Sequence, residues 1–306
     1  MPHLRGHNPL MPAVFYKSSE SMPEVEDGSV RLVFTSPPYW NLKDYGHQDQ
    51  IGGEAYEDYL SRLARVWGEC HRVACAGAVL GINVRHIRFK KTYYPLAFDI
   101  QRTMPDGWVL WDVLFWYIPN ALPQSHHYQE RLFESKVEFL LLFIKGPPDA
   151  YICHKPRIEH SWAAENEHRE EKLNPDGRCL GNLLRIPAYR PPTLRSYPYH
   201  IAAFPEELPA LFIHTFTDVG DTVLDPFLGS GTTVKVALNM GRQGVGYEIN
   251  PDFKGCIDAR IGEHWEVPDW KDIDNLWALK RSMPRNPGRG LVDEQGGILS
   301  LFGEES

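Results

Sequence analysis

The fold turns on residues 222–233, Thr222-Val223-Leu224-Asp225-Pro226-Phe227-Leu228-Gly229-Ser230-Gly231-Thr232-Thr233. Thr222–Leu224 reads as a short strand that runs straight into a turn with two glycines. Gly229 and Gly231 permit positive φ and close backbone approach to a ligand. The helix that follows, through Met240 with Gly241 placed to end it, presents free N–H groups from its first turn. There is no GxxxxGK[ST], which disfavours a phosphate-loop nucleotidase. The next strand, Gln243–Ile249, carries Glu248 near its end, where a carboxylate can accept both hydroxyls of a ribose. Together these features describe a pocket for a nucleoside cofactor; the alternative is a tight turn beside a surface glutamate.

Working outward, strands alternate with helices. Val30–Thr35 reads as a strand stopped by Pro37 and Pro38, which cannot continue a ladder. Glu57–Val73 repeats its apolar residues at helical spacing. Ala78–Val84 reads as a buried strand, Pro95–Met104 as a helix, Val109–Tyr117 and Val137–Ile144 as strands, and Glu206–Thr215 as a helix. Pro251 opens a last helix at its first position. This alternation predicts an α/β fold with a mainly parallel sheet covered on both faces. From Gly146 to about Pro198 no period persists, which predicts a loop-rich inserted lobe. The expected division is therefore residues 10–146, a lobe at 147–197, residues 198–268, and a polar tail at 269–306.

The second decisive stretch is Thr35-Ser36-Pro37-Pro38-Tyr39-Trp40. Its prolines hold the turn rigid. The Pro37 carbonyl and the Ser36 hydroxyl are two acceptors beside an aromatic face. An amino group on a planar heterocycle offers two N–H donors. Two acceptors that bind both hydrogens favour a more pyramidal and more nucleophilic nitrogen, while Tyr39 stacks on the ring. A polyproline-type turn with surface aromatics is the bland alternative.

The chain has 306 residues, 42% hydrophobic and 24% charged, with a net charge of −8. An acidic total counts mildly against a nucleic-acid partner, but binding depends on local basic faces. Two basic stretches occur: Arg85, His86, Arg88, Lys90 and Lys91, and then Lys155, Arg157, Arg178, Arg185, Arg190 and Arg195; either is equally a solvated surface. No apolar run reaches membrane-spanning length and no signal peptide is recognisable, so a cytoplasmic protein with no membrane partner is expected. Five cysteines, an odd number without a CxxC pair, predict reduced, mostly buried thiols. Cys70-His71 and Cys153-His154 lack ligand spacing, so no metal is expected. Glu130, Glu134 and Glu138, at four-residue spacing, suggest acid chemistry; the bland account is a solvated face or an edge of the strand start.

These motifs, in this order, resemble the β class of amino-directed (N4-cytosine/N6-adenine) DNA methyltransferases, in which an SPPY-type turn precedes the glycine turn. The resemblance also covers DGSVRLVFTSPPYWNLKDYG, WYIPN followed by Pro123 and Ser125, Arg131 with Glu138, GNLLRIP, HIAAFPEELP, VLDPFLGSGTT and GYEIN, from about Val30 to Arg260. It implies a Rossmann-like, circularly permuted S-adenosylmethionine-dependent methyltransferase fold with a seven-stranded sheet and a target-recognition lobe near Pro147–Tyr197. Asp225, Pro226, Phe227, Gly229, Ser230, Gly231, Thr232 and Glu248 would hold S-adenosylmethionine, with His200 and Phe204 closing the pocket. Ser36, Pro37, Pro38 and Tyr39 would hold a base flipped from duplex DNA, and Arg85, Arg88, Lys90, Lys91, Arg157, Arg178, Arg190 and Arg195 would contact the DNA. Serine at the first position of the turn favours cytosine N4; adenine N6 is the alternative, and an RNA or protein-amide substrate a more remote one. A separate restriction endonuclease and a monomeric or homodimeric state are further expectations. Two positions depart from the family pattern: Lys17-Ser18 stands where Gly-Asp is usual, and Ile118 where lysine is frequent.

Overall fold

A computed structural model describes residues 12–42, 44, 46–121, 133, 135–147, 149–158, 176–189, 191–195, 197 and 203–270. In chain order the elements are β1 (Ala13–Phe15), β2 (Val30–Thr35), α1 (Tyr56–Val73), β3 (Ala74–Val84), β4 (Ile87–Phe89), β5 (Thr92–Tyr94), α2 (Leu96–Arg102), β6 (Trp108–Tyr117), β7 (Val137–Lys145), β8 (Arg157–Ile158), β9 (Arg178–Cys179), β10 (Leu183–Arg185), α3 (Pro192–Arg195), α4 (Glu207–Phe216), β11 (Thr222–Asp225), α5 (Thr232–Asn239), β12 (Gln243–Tyr247) and α6 (Lys254–Ile261).

The main sheet has the order β1-β12-β11-β2-β3-β7-β6-β10. β7 runs antiparallel to both of its neighbours, and every other adjacent pair is parallel. Its central strands are apolar on both faces, as burial under two helix layers requires. Val33, Leu80, Ile82, Leu141 and Phe143 face one layer, which contains Leu60, Leu63, Val66 and Trp67 of α1. Leu32, Phe34, Val79, Leu140, Leu142 and Ile144 face the other, packed on Leu208, Leu211 and Phe212 of α4. The period of two along each strand sorts its residues between these layers.

Three elements differ from the sequence reading. The sheet has eight strands, because β10, inside the expected lobe, joins it in parallel with β6, Leu183 opposite Phe115. Three residues are too few to display alternation, and the pairing is set by β6. β3 begins at Ala74, directly after α1, with Gly77 at φ +73 and a register shift opposite Val30–Leu32. That irregularity is what makes Cys75–Gly77 look like a loop in sequence. The β4–β5 hairpin has Lys90 and Lys91 at φ +47 and +70, where Asn-Gly would have announced a turn.

β2 and β11 are neighbours at the centre of the sheet. From β2 the chain proceeds to β3 on one side, and from β11 to β12 on the other. The strand order thus reverses between them, and a crevice opens at their carboxyl ends, as open parallel sheets of this kind allow. Both motif turns sit at this crevice.

Candidate functional site

Two turns make the site. β11 delivers the chain into Pro226–Gly231. Leu228 is seated against β12, where a Cβ on Gly246 would lie 2.6 Å from Leu228 Cδ2, so that position is closed to any larger residue. Gly231 takes φ +84 as the cap of α5, a conformation only glycine adopts without strain. β2 delivers the chain into Ser36–Tyr39. There the Tyr59 hydroxyl of α1 donates to the Pro38 carbonyl at 2.8 Å, and the loop returns to give Asn41 N–H to Gly52 O at 2.8 Å. Trp40 anchors the turn through its indole N–H to Glu54 O, 2.7 Å, and through ring contacts with Tyr56, Phe89 and Tyr94.

The two turns share one cavity of about 960 Å³, open solvent included. Ser36, Pro37, Pro38 and Tyr39 line one wall; Pro226, Phe227, Gly229, Ser230, Thr232 and Glu248 line another; Phe204 contributes from before α4. Sequence reading missed Lys17, Ser18, Ile51, Ile249 and Phe253, which also line it. Ile51 and Phe253 are buried apolar residues that any core position resembles, and Lys17-Ser18 stand out in sequence only as a departure from pattern. His200 and Arg190 lie outside the described residues, as do Glu130, Glu134 and the side chain of Arg195.

Asp225 and Gly231 do not line the cavity. Asp225 lies beneath it, 1% exposed. Its Oδ1 accepts from Thr35 Oγ1 at 2.6 Å and from Phe227 N–H at 3.0 Å, and its Oδ2 from Thr233 Oγ1 at 2.7 Å. Burial pushes its pKa up to about 6 against these three donors. It is a brace for both turns.

Glu248 does face the cavity. It accepts the N–H of Gly229 and of Asn250, each at 2.9 Å, one on each carboxylate oxygen. A carboxylate has about four acceptor sites, so its capacity is not filled by these donors and a weaker one from Ile249. Desolvation pushes its pKa up to about 7, opposed by those N–H groups and assisted by the charge of Asp225. A buried acid with spare acceptors beside a glycine turn fits the ribose of a nucleoside cofactor.

Glu138, at the start of β7, is half-buried behind the Ser36–Tyr39 turn and lies on no solvated face. It accepts from Asn83 Nδ2 at 2.8 Å and from Tyr39, and desolvation raises its pKa while Asn83, Arg85 and Tyr39 oppose the rise. Arg85 lies over the Tyr39 ring, 5.6 Å from its centroid. Glu138 stands opposite Trp116 on β7, inside the strand expected at Val137–Ile144. Arg88, Lys90 and Lys91 are exposed on the β4–β5 hairpin. Arg157 and Arg178 sit on the separate β8–β9 pair, where Arg157 donates to Gly177 O at 3.0 Å. Among the described residues no group of three His, Cys, Asp or Glu could hold a metal ion, and no helix is long and apolar enough to cross a membrane.

The DNA methylase family profile N6_N4_Mtase matches residues 30–257. The chain is a member of this DNA methylase family. The methylase is 34% identical over 265 residues to the type II methyltransferase M.XycI of Xanthomonas campestris pv. cyanopsidis, covering 76% of this chain and 82% of the relative. It is 29% identical over 283 residues to M.MjaI of Methanocaldococcus jannaschii, covering 81% and 90%. Among solved structures it resembles a putative DNA modification methylase of Thermus thermophilus complexed with S-adenosyl-L-methionine, with 27% identity, a TM-score of 0.57, and 84% and 99% of the two chains covered. It shares the fold of the cytosine-N4-specific PvuII DNA methyltransferase, TM-score 0.63 at 20% identity. The methylase is thus an S-adenosylmethionine-dependent enzyme with a Rossmann-like α/β fold.

Proposed function

We propose that the methylase transfers a methyl group from S-adenosylmethionine to N4 of cytosine in a short, specific site of duplex DNA. The observation that carries this is the Thr35–Asp225 bond, which fixes the Ser36–Tyr39 and Pro226–Gly231 turns against one cavity. Glu248 accepts the ribose hydroxyls through its remaining acceptor capacity. Phe204, Pro226, Phe227, Gly229, Ser230 and Thr232 enclose the cofactor from both sides, with Lys17-Ser18 in the place of the usual Gly-Asp; Asp225 and Gly231 shape the turn without touching it. When bound, the cofactor supplies an electrophilic methyl on sulfur.

On the opposite wall, the Ser36 hydroxyl and the Pro37 carbonyl accept the two amino hydrogens, and Tyr39 stacks on the base. These groups concentrate the nitrogen lone pair and aim it, so the displacement proceeds without a covalent enzyme intermediate. A base in a duplex cannot enter such a cavity, and flipping costs a few kcal/mol. Arg85, Arg88, Lys90 and Lys91 hold phosphates around the opening, while residues 147–197, with Arg157, Arg178, Arg190 and Arg195, read the site. Serine at position 36 is what favours cytosine N4. A separate endonuclease partner and a monomeric or homodimeric state belong to the same reading. Mass spectrometry of nucleosides from methylated DNA tests the reading: N4-methylcytosine is expected, and N6-methyladenine would replace it with the adenine alternative.

A further inference from the structure

Solvent-facing aromatic rings flank the catalytic turn. Tyr93 on β5 is 53% exposed and Phe98 on α2 is 59% exposed. His86 lies between them, with centroids 5.6 and 4.9 Å away, and is backed by Phe139 at 4.4 Å. The Arg88 guanidinium sits over Tyr93 at 5.3 Å. The hairpin tip beyond Tyr93 is built from Lys90 and Lys91, both in left-handed backbone. Residues other than glycine adopt this backbone only with strain, and strain of this kind concentrates at functional sites. Here it sets two exposed lysines at consecutive positions of the tip, with Lys90 Nζ 5.2 Å from the Phe89 ring centroid.

This patch is mechanically joined to the catalytic turn. Phe89 and Tyr94 of the same hairpin pack on Trp40 at 5.2 and 4.7 Å, and Arg85, the neighbour of His86, covers Tyr39. The acids nearby are already engaged: Asp99 accepts from Tyr56 at 2.8 Å and pairs with Arg102 at 3.6 Å, which also meets Glu57 at 3.8 Å. The exposed charge of the patch is therefore that of Arg85, Arg88, Lys90 and Lys91. Desolvation holds the pKa of His86 below its usual value, so the centre of the patch is a neutral ring at pH 7.

We infer that the β4–β5 hairpin, with His86 and Phe98, is a stacking platform for an unpaired nucleotide of the DNA next to the target base, its phosphates held by Arg88, Lys90 and Lys91. A paired duplex presents phosphates and groove edges but no base faces. Flat rings alternating with cations suit an unstacked strand, and extrusion of the target base produces unstacked nucleotides within reach of this hairpin. The inference rests on the DNA-methylation reading and adds a second contact surface to it.

The test uses the full chain and a short fluorescein-labelled oligonucleotide, single-stranded and as a duplex, titrated across a range of salt concentrations. Tyr93→Ala/Phe98→Ala is expected to weaken single-strand binding about tenfold or more, given the strength of base–aromatic stacking, with the salt slope unchanged. Tyr93→Leu/Phe98→Leu keeps apolar bulk without ring faces and shows the same loss. Lys90→Gln/Lys91→Gln instead flattens the single-strand salt slope by about 1.4, two contacts at ~0.7 each. S-adenosylmethionine affinity stays unchanged in all three variants. Single-strand binding by either ring-deleted variant within about twofold of the wild type overturns the platform and leaves the methylation reading standing. A wild-type chain that binds S-adenosylmethionine but neither form of DNA overturns both.

Discussion

Thr35 Oγ1 donates to Asp225 Oδ1 across 2.6 Å of buried space, joining residues 190 apart in the chain. Each belongs to the last position of its strand, and each strand opens into one wall of the cavity. The bond therefore sets the distance between the two walls. Thr35→Val keeps the shape and removes the donor. A hydrogen bond to a charged, buried acceptor contributes about 1.5–3 kcal/mol, so urea denaturation should show a loss of that order. Thr35→Ser, which restores the hydroxyl, should recover most of it.

Ser36→Ala and Tyr39→Ala remove groups from the wall opposite the cofactor. Loss of one preorganised acceptor typically lowers kcat by about 100-fold. Both variants should bind S-adenosylmethionine as the wild type does in calorimetry while methylating DNA far more slowly. Equal losses in cofactor affinity and in turnover would place these residues on the wrong wall.

Glu248 makes cofactor binding pH-dependent. Its folded pKa of about 7 lies above its unfolded value of 4.5, so its contribution to the stability of the free protein is largest below pH 4.5 and is lost as pH rises through 7. The ionised form is the better acceptor for ribose hydroxyls, so S-adenosylmethionine affinity should rise over the same window, with protons released on binding. Calorimetry in buffers of different ionisation enthalpy reads that release, and Glu248→Gln should abolish it. Asp225, with a folded pKa of about 6, contributes to the stability trend in the same direction.

Glu138 and Tyr39 should behave as one unit. Glu138→Gln and Tyr39→Phe should each lower kcat more than they change the KM for DNA, and the double variant should be no slower than the slower single one. Independent, multiplying losses would mean that Glu138 acts on the fold alone.

Behind the cofactor wall, Arg260 and Lys235 are buried between Glu206 and Glu263. Arg260 meets Glu206 and Glu263 at 2.8 Å each, and Lys235 meets them at 3.3 and 2.6 Å. Glu206→Ala leaves two buried cations with a single, partly exposed partner. Removing one member of a buried ion pair costs about 3–5 kcal/mol, and thermal unfolding should show it.

Much of this was legible in the chain. The glycine turn and the Ser36–Tyr39 turn carried their chemistry in residue types fixed by backbone geometry, and α1 displayed its buried face at helical spacing. What stayed hidden depended on neighbours. Asp225 stands beside the turn in sequence, and only the structure reveals that Thr35, Phe227 and Thr233 occupy three of its acceptor sites. Glu138 was placed on its strand, but nothing in the sequence put Asn83 and Tyr39 beside it, and β10 was too short to have a rhythm at all. The β4–β5 hairpin broke the turn rule that would have announced it.

The adjacency of β2 and β11 also governs how the chain comes off the ribosome. β2 emerges long before β11, and some 190 further residues must be made before its partner on that edge exists. Until then the nascent sheet exposes an apolar, unpaired border at what becomes its centre, the situation in which strands pair wrongly or aggregate. Production of active enzyme should accordingly be sensitive to synthesis rate and chaperone supply, and neither half of the chain made alone should bind cofactor or DNA as the whole does.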